Sequence, residues 1–155
     1  MTPDLRARLR NELIGHEGLV TKAYDDATGR VIQPGTTVRG WVTVGYGRNL
    51  IGKGLTVRES DYLLANDIAD VERELDQHLA EWRTWALARQ LAIANITYNL
   101  GVVPFVTKWP NTVADLRAAR FTQAGARLRQ SLWRKQVGDG RAVPLIRMIE
   151  TGVLA

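Results

Sequence analysis

The segment HEGLVTKAYDDATG, residues 16–29, lies between a predicted helix and a region rich in Gly, Thr and Val. Before it, Thr2 and Pro3 suit the N-cap and first position of a helix. Apolar residues then recur at helical spacing, namely Leu5, Leu9, Leu13 and Ile14. Gly15 or Gly18 can end this helix, so the pattern predicts Glu17 at the helix exit.

Beyond this stretch, residues 27–51 are rich in Gly, Thr and Val. Apolar Val42, Val44 and Tyr46 alternate there with Thr43, Gly45 and Gly47. An alternation with period two indicates strands, and we expect two or three short ones. The pattern T-x-x-E over residues 56–59 is a capping box, and the helical spacing that follows predicts a helix of about 20 residues.

The rest of the chain is predicted to be helical. Residues 85–100 are apolar on several faces and end at Gly101, which indicates a buried central helix with a glycine stop. The remaining predictions are chain breaks at Pro104 and Pro110, a short helix capped by Thr112 and Asp115, a helix over residues 122–134, a turn at residues 138–140 and a helix starting at Pro144.

These elements predict an α+β fold in one domain, because 155 residues suit a single globular unit. We expect a small N-terminal lobe, with a β-hairpin or short sheet, joined by the long helix to an all-helical C-terminal lobe. The mixed lobe is expected over about residues 12–58, and the helical lobe over residues 59–155 together with residues 1–11. A cleft between the lobes is expected.

Composition narrows the classes of function. The chain has no cysteine, which excludes disulfides and thiolate metal sites. Its 21 Lys and Arg against 16 Asp and Glu give a net charge of +5, which favours a polyanionic partner such as nucleic acid or the bacterial envelope. The basic residues cluster only over residues 117–135, where a solvated helical surface is the plainer interpretation. No stretch resembles a secretory signal or a membrane span.

Two carboxylates in the opening stretch suggest glycosidic chemistry. Such cleavage needs an acid for the leaving oxygen and a second group that attacks the anomeric carbon or activates water. Glu17 at a helix end can be partly desolvated with a raised pKa, while Asp26 in a polar turn stays ionised. Taken alone, a capping or surface-ion arrangement explains most pairs of this kind.

At this point the sequence resembles the lysozymes of T-even phages and related endolysins. Their signature runs E-G-x(5)-Y-x-D-x-x-G and then T-[IV]-G-x-G. The matching residues here are Glu17, Gly18, Tyr24, Asp26 and Gly29, followed by residues 43–47. Further matches lie in residues 95–101, 131–136, 141 and 148–152, so the resemblance covers most of the chain.

The resemblance implies a lysozyme-like fold and a peptidoglycan muramidase without metal or organic cofactor. Glu17 would protonate the leaving group, Asp26 would help to position and activate water, and Thr43 would hold that water. Such an enzyme would invert the anomeric centre. Asp25 is a neighbouring alternative to Asp26, but the register of the signature selects Asp26.

The sequence departs from the family in two places. Thirteen residues separate Gly29 from Thr43, so we expect a longer hairpin than the family's, with Pro34 and Gly35 at its tip. Thr36 and Thr37 on this segment are rival water holders, although we favour Thr43.

The second departure is Arg48, which replaces a family histidine, and we expect it to pair with Asp67. Arg141 is the candidate partner of the Glu17 carboxylate. Asn99 and Gln136 match positions that line the family's cleft, with helix-surface polarity as the alternative. Trp133 is a candidate for stacking on sugar, with core packing as the favoured alternative.

Core packing is also expected for the other tryptophans, Trp41, Trp82, Trp85 and Trp109. His16 and His78 have no metal-ligand spacing, so no metal is expected.

The predicted activity is hydrolysis of the β-1,4 bond between N-acetylmuramic acid and N-acetylglucosamine, causing lysis of the host cell. We expect a monomer that binds peptidoglycan, with no nucleic-acid partner and no stable membrane insertion. It would accumulate in the host cytoplasm and act on the wall after release, by a holin-dependent route. The alternatives are a non-catalytic peptidoglycan-binding module and a basic helical nucleic-acid binder.

Overall fold

The computed structural model describes residues 1–155 as two compact units, Met1–Ser60 and Asp61–Ala155. The first unit opens with helix α1 (Pro3–Glu17). Thr2 caps α1 by accepting a hydrogen bond from Leu5 N at 3.3 Å, and Gly18 ends it with a positive φ of 66°. The predicted start and end of this helix are therefore confirmed.

The sheet of the first unit has four antiparallel strands in the order β2-β1-β3-β4. Their bounds are β1 (Val20–Asp25), β2 (Arg30–Val31), β3 (Val42–Gly45) and β4 (Arg48–Asn49). The sequence predicted two or three strands. The additional strand is β1, which precedes the Gly- and Thr-rich region and has no regular alternation of apolar and polar residues.

The long segment between β2 and β3 is not the hairpin that was expected. β2 and β3 lie on opposite sides of β1, so residues 32–41 cross the end of β1 instead of linking neighbouring strands. The predicted turn at its tip is present, because Thr36 N donates to Gln33 O at 2.9 Å around Pro34 and Gly35. β1 and β2 form the tight hairpin of this sheet, and it turns at residues 26–29.

Helix α2 (Val57–His78) begins with the predicted capping box. Thr56 N donates to Glu59 Oε2 at 2.8 Å, and Glu59 N donates to Thr56 Oγ1 at 3.3 Å. Two backbone donors of the first turn are thus satisfied reciprocally. α2 is the long helix that the sequence predicted, and the boundary between the two units falls within it.

The second unit is all helical. A 3₁₀ helix (Ala80–Thr84) precedes α3 (Leu87–Leu100), α4 (Val102–Lys108), α5 (Pro110–Arg117), α6 (Phe121–Gln130), α7 (Leu132–Val137) and α8 (Asp139–Thr151). The predicted central helix and its stop at Gly101 are confirmed. The α+β, lysozyme-like fold class is confirmed as well, and no helix is long and apolar enough to cross a bilayer.

Several predicted boundaries in this unit were wrong. Pro104 lies in the first turn of α4, where a helix needs no N–H from proline, so no break occurs there. The break predicted at Pro110 is present, because α4 ends at Lys108 and Pro110 starts α5. Pro144 lies inside α8, which begins at the Gly138 turn rather than at the proline.

The short helices were also divided differently from the prediction. Thr112 and Asp115 lie buried within α5 instead of capping it. Residues 122–134 do not form one helix, because Ser131 ends α6 and caps α7 by accepting a hydrogen bond from Arg134 N at 3.3 Å.

The hydrophobic core belongs to the second unit and is centred on α3. Ala92, Ile93 and Ile96 of this helix are fully buried. Around them pack Leu75, Leu79, Trp82, Trp85, Phe105, Leu116, Leu128, Trp133, Ile146 and Ile149. Trp109 is half-buried against this core. Trp41 was expected in a core but is 53% exposed.

The two-lobed single domain remains a prediction. The structure assigns residues 1–11 to the first unit as part of the continuous helix α1.

Candidate active site

The end of β1 and the turn after it carry the two aspartates, Asp25 and Asp26, that the sequence could not separate by chemistry. Asp25 is buried, and its carboxylate accepts three backbone hydrogen bonds. These come from Ala27 N at 3.2 Å, Arg39 N at 3.1 Å and Gly40 N at 2.8 Å. The Arg39 N–H contributes most to lowering the pKa of Asp25, burial opposes it, and the Gly40 and Ala27 N–H groups lower it further. Asp25 is therefore engaged by the protein itself.

Asp26 is exposed, in contrast to the buried Asp25. Its Oδ1 accepts a hydrogen bond from Trp41 N at 2.6 Å, and its own N–H donates to Trp41 O at 3.1 Å. The carboxylate is thus fixed by one backbone donor and keeps acceptor positions available for a ligand.

Thr43 lies on β3 directly opposite Tyr24 of β1. The next pair along this ladder joins Asp25 to Val42, so Asp26 follows opposite Trp41. β1 ends at Asp25, so Asp26 lies in the turn beyond the ladder and is bonded to the main chain of Trp41, the residue before β3. Thr43 is 4% exposed, and its hydroxyl donates to Trp41 O at 3.3 Å.

The rival threonines are placed elsewhere. Thr36 and Thr37 are exposed near the tip of the long loop. The Thr36 hydroxyl accepts a hydrogen bond from Gln33 N at 2.9 Å and so belongs to the tip turn. Of the three threonines, only Thr43 is paired within the sheet next to Asp26.

Glu17 is the last residue of α1, as its position before Gly18 predicted. Its carboxylate lies against Gly47 in the turn between β3 and β4, where a methyl group added to Gly47 would come 2.5 Å from Glu17 Oε2. It also borders a recess of about 380 Å³ lined by α1 residues and Tyr46. Glu17 is exposed, so the partial desolvation expected at this helix end is not seen in the first unit.

Arg48 does not find the partner that the sequence suggested. Its guanidinium pairs with Glu59, with Nη1 to Oε1 at 2.5 Å and Nη2 to Oε2 at 2.8 Å, and it also donates to Gly54 O. The predicted Arg48–Asp67 pair was therefore wrong. The capping box holds Glu59 at the start of α2, where it offers both oxygens to Arg48. These contacts lower the pKa of Glu59 to about 2, first through the Thr56 N–H and hydroxyl and then through Arg48.

In the second unit, Trp133 is 1% exposed and belongs to the core, so its stacking on sugar is excluded. Its indole N–H donates to Asn99 Oδ1 at 3.1 Å, which orients the exposed Asn99 amide on α3. Gln136 is also exposed, on α7. The substrate-binding roles of Asn99 and Gln136 remain predictions.

Arg141 on α8 donates to Asn95 of α3, with Nη2 to Oδ1 at 2.9 Å. Both residues line an apolar recess of about 330 Å³ within the second unit. The pairing of Arg141 with Glu17 remains a prediction.

The basic segment over residues 117–135 is largely ion-paired. Asp115 is buried and binds Arg120 at 2.8 Å and Arg127 at 2.7 Å. Arg129 binds Glu150 at 2.6 Å, and Arg134 binds Asp139 at 2.8 Å. The two arginines compensate the burial of the Asp115 carboxylate in α5. Together the ion pairs neutralise much of the positive charge of this segment.

The small antiparallel sheet and the all-helical second unit define an α+β protein of the lysozyme-like class. The chain belongs to the phage lysozyme family, whose model matches residues 14–147. It is also 30% identical over 113 residues to the pre-baseplate central spike protein Gp5 of Enterobacteria phage T4. That match covers 70% of this chain but only 19% of the spike protein.

Sequence reasoning missed several residues that build the site. Gly40 approaches Asp26 closely, Gly47 contacts Glu17, and Trp41 is exposed while its main chain bonds to Asp26 and Thr43. A signal for the glycines was present in the T-x-G-x-G pattern and in the lone Gly before Trp41. The exposure of Trp41 had no signal, since a tryptophan usually packs in a core.

Proposed function

We propose that this chain is a muramidase that hydrolyses the β-1,4 bond between N-acetylmuramic acid and N-acetylglucosamine in peptidoglycan. One observation carries the proposal. Asp26, in the turn after β1, and Thr43, on β3, both bond to the main chain of Trp41. A carboxylate beside a hydroxyl is a suitable pair of acceptors for one water molecule.

In this mechanism Glu17 gives its proton to the glycosidic oxygen as the bond to the anomeric carbon breaks. Asp26 takes a proton from the attacking water, whose oxygen forms the new bond to that carbon. The Thr43 hydroxyl donates to Trp41 O, so its lone pairs are available to accept from the same water. Attack by water on the face opposite the leaving group inverts the anomeric centre.

Three residues are proposed to contact the substrate. Trp41 is exposed, its main chain bonds to Asp26, and an exposed aromatic ring next to the base suits the apolar face of a sugar. Asn99 and Gln136 offer exposed amides for N-acetyl groups or the stem peptide. No cofactor or metal is required by these steps.

The test is clearance of purified sacculi by Glu17→Gln and Asp26→Asn. Loss of general acid or base catalysis is expected to slow clearance by roughly 10²- to 10⁴-fold. Glu12→Gln is the matched control, because Glu12 is exposed on the same helix and bonded only to Arg8. Clearance by Glu17→Gln at the wild-type rate would refute the assignment of the acid.

The stereochemical part is tested separately. Early-time NMR of the product from a chitooligosaccharide or muropeptide is expected to show the inverted anomer first. Retention would reject water attack assisted by Asp26 and Thr43, while leaving Glu17 as the acid.

A pull-down on purified sacculi and on duplex DNA separates the alternatives. A wall-binding module without catalysis would bind sacculi yet leave them intact. A nucleic-acid binder would bind DNA with a steep salt dependence. The ion pairs on Asp115, Asp139 and Glu150 argue against DNA binding, because they neutralise arginines that would otherwise bind DNA phosphates.

We further propose that the activity lyses the phage's host, with the protein reaching the wall from the cytoplasm through a holin-dependent lesion. Expression in a bacterial host with and without a co-expressed holin tests this route. Lysis is expected only with the holin, and equal lysis in both cultures would reject the route.

A further inference from the structure

Asp25 is the only buried carboxylate in the first unit, where Thr43 is the only other buried side chain. No Lys or Arg forms an ion pair with it. A buried carboxylate without a cation is costly unless hydrogen bonds compensate. The three backbone N–H groups of Ala27, Arg39 and Gly40 supply that compensation.

These hydrogen bonds join two parts of the chain that are distant in sequence. Ala27 belongs to the turn between β1 and β2, whereas Arg39 and Gly40 form the end of the long loop. The Asp25 carboxylate therefore fixes the end of the loop against the turn that carries Asp26. We call Asp25 with the N–H groups of Ala27, Arg39 and Gly40 the Asp25 clamp.

Gly40 shows how close this approach is. A methyl group added to Gly40 would overlap Asp26 Oδ1 and would come 2.7 Å from both Ala27 N and Ala27 Cβ. Its φ is not positive, so the close approach alone requires glycine at this position.

The main chain of residues 39–41 contacts both aspartates in succession. The N–H groups of Arg39 and Gly40 bind Asp25, and the next N–H, that of Trp41, binds Asp26. The Trp41 carbonyl accepts from the Thr43 hydroxyl and from Asp26 N. A displacement of the loop end would move the groups that orient Asp26 and Thr43.

We propose that Asp25 is a positioning residue, which holds residues 39–41 so that the Trp41 main chain orients the Asp26 carboxylate and the Thr43 hydroxyl toward the attacking water. This inference rests on the proposed function of Asp26 and Thr43. The long loop would then contribute to catalysis, because its residues 39–41 hold the Asp26 carboxylate in position.

Substitutions of Asp25 test the clamp in a graded way. In Asp25→Asn, Oδ1 still accepts hydrogen bonds from Ala27 N and Gly40 N. The amide NH₂ that replaces Oδ2 faces the Arg39 N–H, so two donors oppose each other and that hydrogen bond is lost. Asp25→Ala removes all three bonds. We expect kcat to fall roughly tenfold for the first and 100-fold for the second, with KM within about twofold, because misplacement affects the chemical step. Asp61→Asn, on exposed α2, is the control and is expected to keep wild-type kcat.

Gly40→Ala is the second variant, because its methyl group displaces Asp26 and Ala27 without removing the Asp25 carboxylate. It is expected to lower kcat and not KM. Gly15→Ala is its matched control, since open space surrounds Gly15 in α1. Circular dichroism and the NMR shift of the Trp41 amide report whether the sheet is folded and whether the bond to Asp26 persists.

Wild-type kcat in folded Asp25→Ala or Gly40→Ala would overturn this inference. Loss of the folded sheet in both variants would assign Asp25 a purely structural role and would overturn it too. Asp26→Asn is measured in parallel. An active Asp26→Asn refutes the proposed role of Asp26 as the base, on which this inference rests, whereas an inactive Asp26→Asn together with a fully active Asp25→Ala refutes the positioning role alone.

Discussion

The carboxylate of Glu17 at the end of α1 lies directly against Gly47 in the turn between β3 and β4. Oε2 occupies the space that any side chain at position 47 would need. Gly47 also has a positive φ of 69°, so both its conformation and its contact demand glycine. The second half of the T-x-G-x-G pattern is thereby linked to the proposed acid.

Gly47→Ala is expected to lose activity roughly 100-fold, because the added methyl group pushes the Glu17 carboxylate away from its place. The left-handed backbone should also cost about 1–2 kcal/mol of stability. Sacculus clearance and the free energy of unfolding measure the two effects.

Gly54→Ala is the matched control for this substitution. Its φ of 62° imposes a similar strain, but open space surrounds the added methyl group. Equal activity losses in the two variants would show that strain, and not contact with Glu17, is responsible.

Trp133→Ala is expected to destabilise the protein by about 3–5 kcal/mol, because it empties a large core site. Trp133 is 1% exposed and reaches the surface of α3 only through its bond to Asn99. Urea unfolding measures the change. A fully stable variant with a raised KM would restore the sugar-stacking role that burial excludes.

Trp41→Ala is expected to behave in the opposite way. Since the indole is 53% exposed, its loss should change stability by no more than about 0.5 kcal/mol. It should raise KM for peptidoglycan roughly fivefold, as the loss of about 1 kcal/mol of aromatic contact requires. Trp41→Phe, which keeps an aromatic ring, is expected to recover most of the affinity. An unchanged KM in Trp41→Ala would remove this residue from the substrate site.

The stability of the protein is expected to depend on pH through the ionisation of Glu59. Its folded-state pKa of about 2 lies below the ordinary 4.5, so its ionised form stabilises the folded state above pH 4.5. That contribution is lost as pH falls from about 4.5 toward 2. Glu59→Gln should therefore have a lower melting temperature near neutrality and a flatter decline between pH 5 and 2.

Asp67→Asn is the control for this measurement, because Asp67 was the expected partner of Arg48. It is expected to follow the wild-type curve. If stability declined less steeply with falling pH in Asp67→Asn than in Glu59→Gln, Asp67 would be the main partner of Arg48 after all.

Local signals in the sequence were sufficient for the starts of α1 and α2. Thr2 and Pro3 fix α1, and Thr56 with Glu59 fixes α2, because the capping side chains lie within a few residues of the donors they satisfy. Proline misled the prediction where a new helix had begun just before it, as at Pro104. A first-turn proline and a chain break have the same local sequence.

Partners distant along the chain could not be predicted. The choice of Glu59 over Asp67 for Arg48 depends on how β4 and the start of α2 meet. The register of the family signature selected Asp26 over Asp25, and the structure shows why their environments differ. Asp25 binds N–H groups fourteen and fifteen residues away, which no spacing rule reveals.

The two parts of the long loop, its tip and its far end, differ in how they are hydrogen-bonded to the rest of the protein. Its far end is bonded to Asp25 and Asp26, whereas at its tip Gln33 and Thr36 bond only to each other around exposed Pro34 and Gly35. Exposed tips of this kind tolerate inserted sequence. A short epitope or fluorophore-bearing peptide grafted after Thr37 would therefore give engineers a reporter on the protein that leaves the anchored end undisturbed.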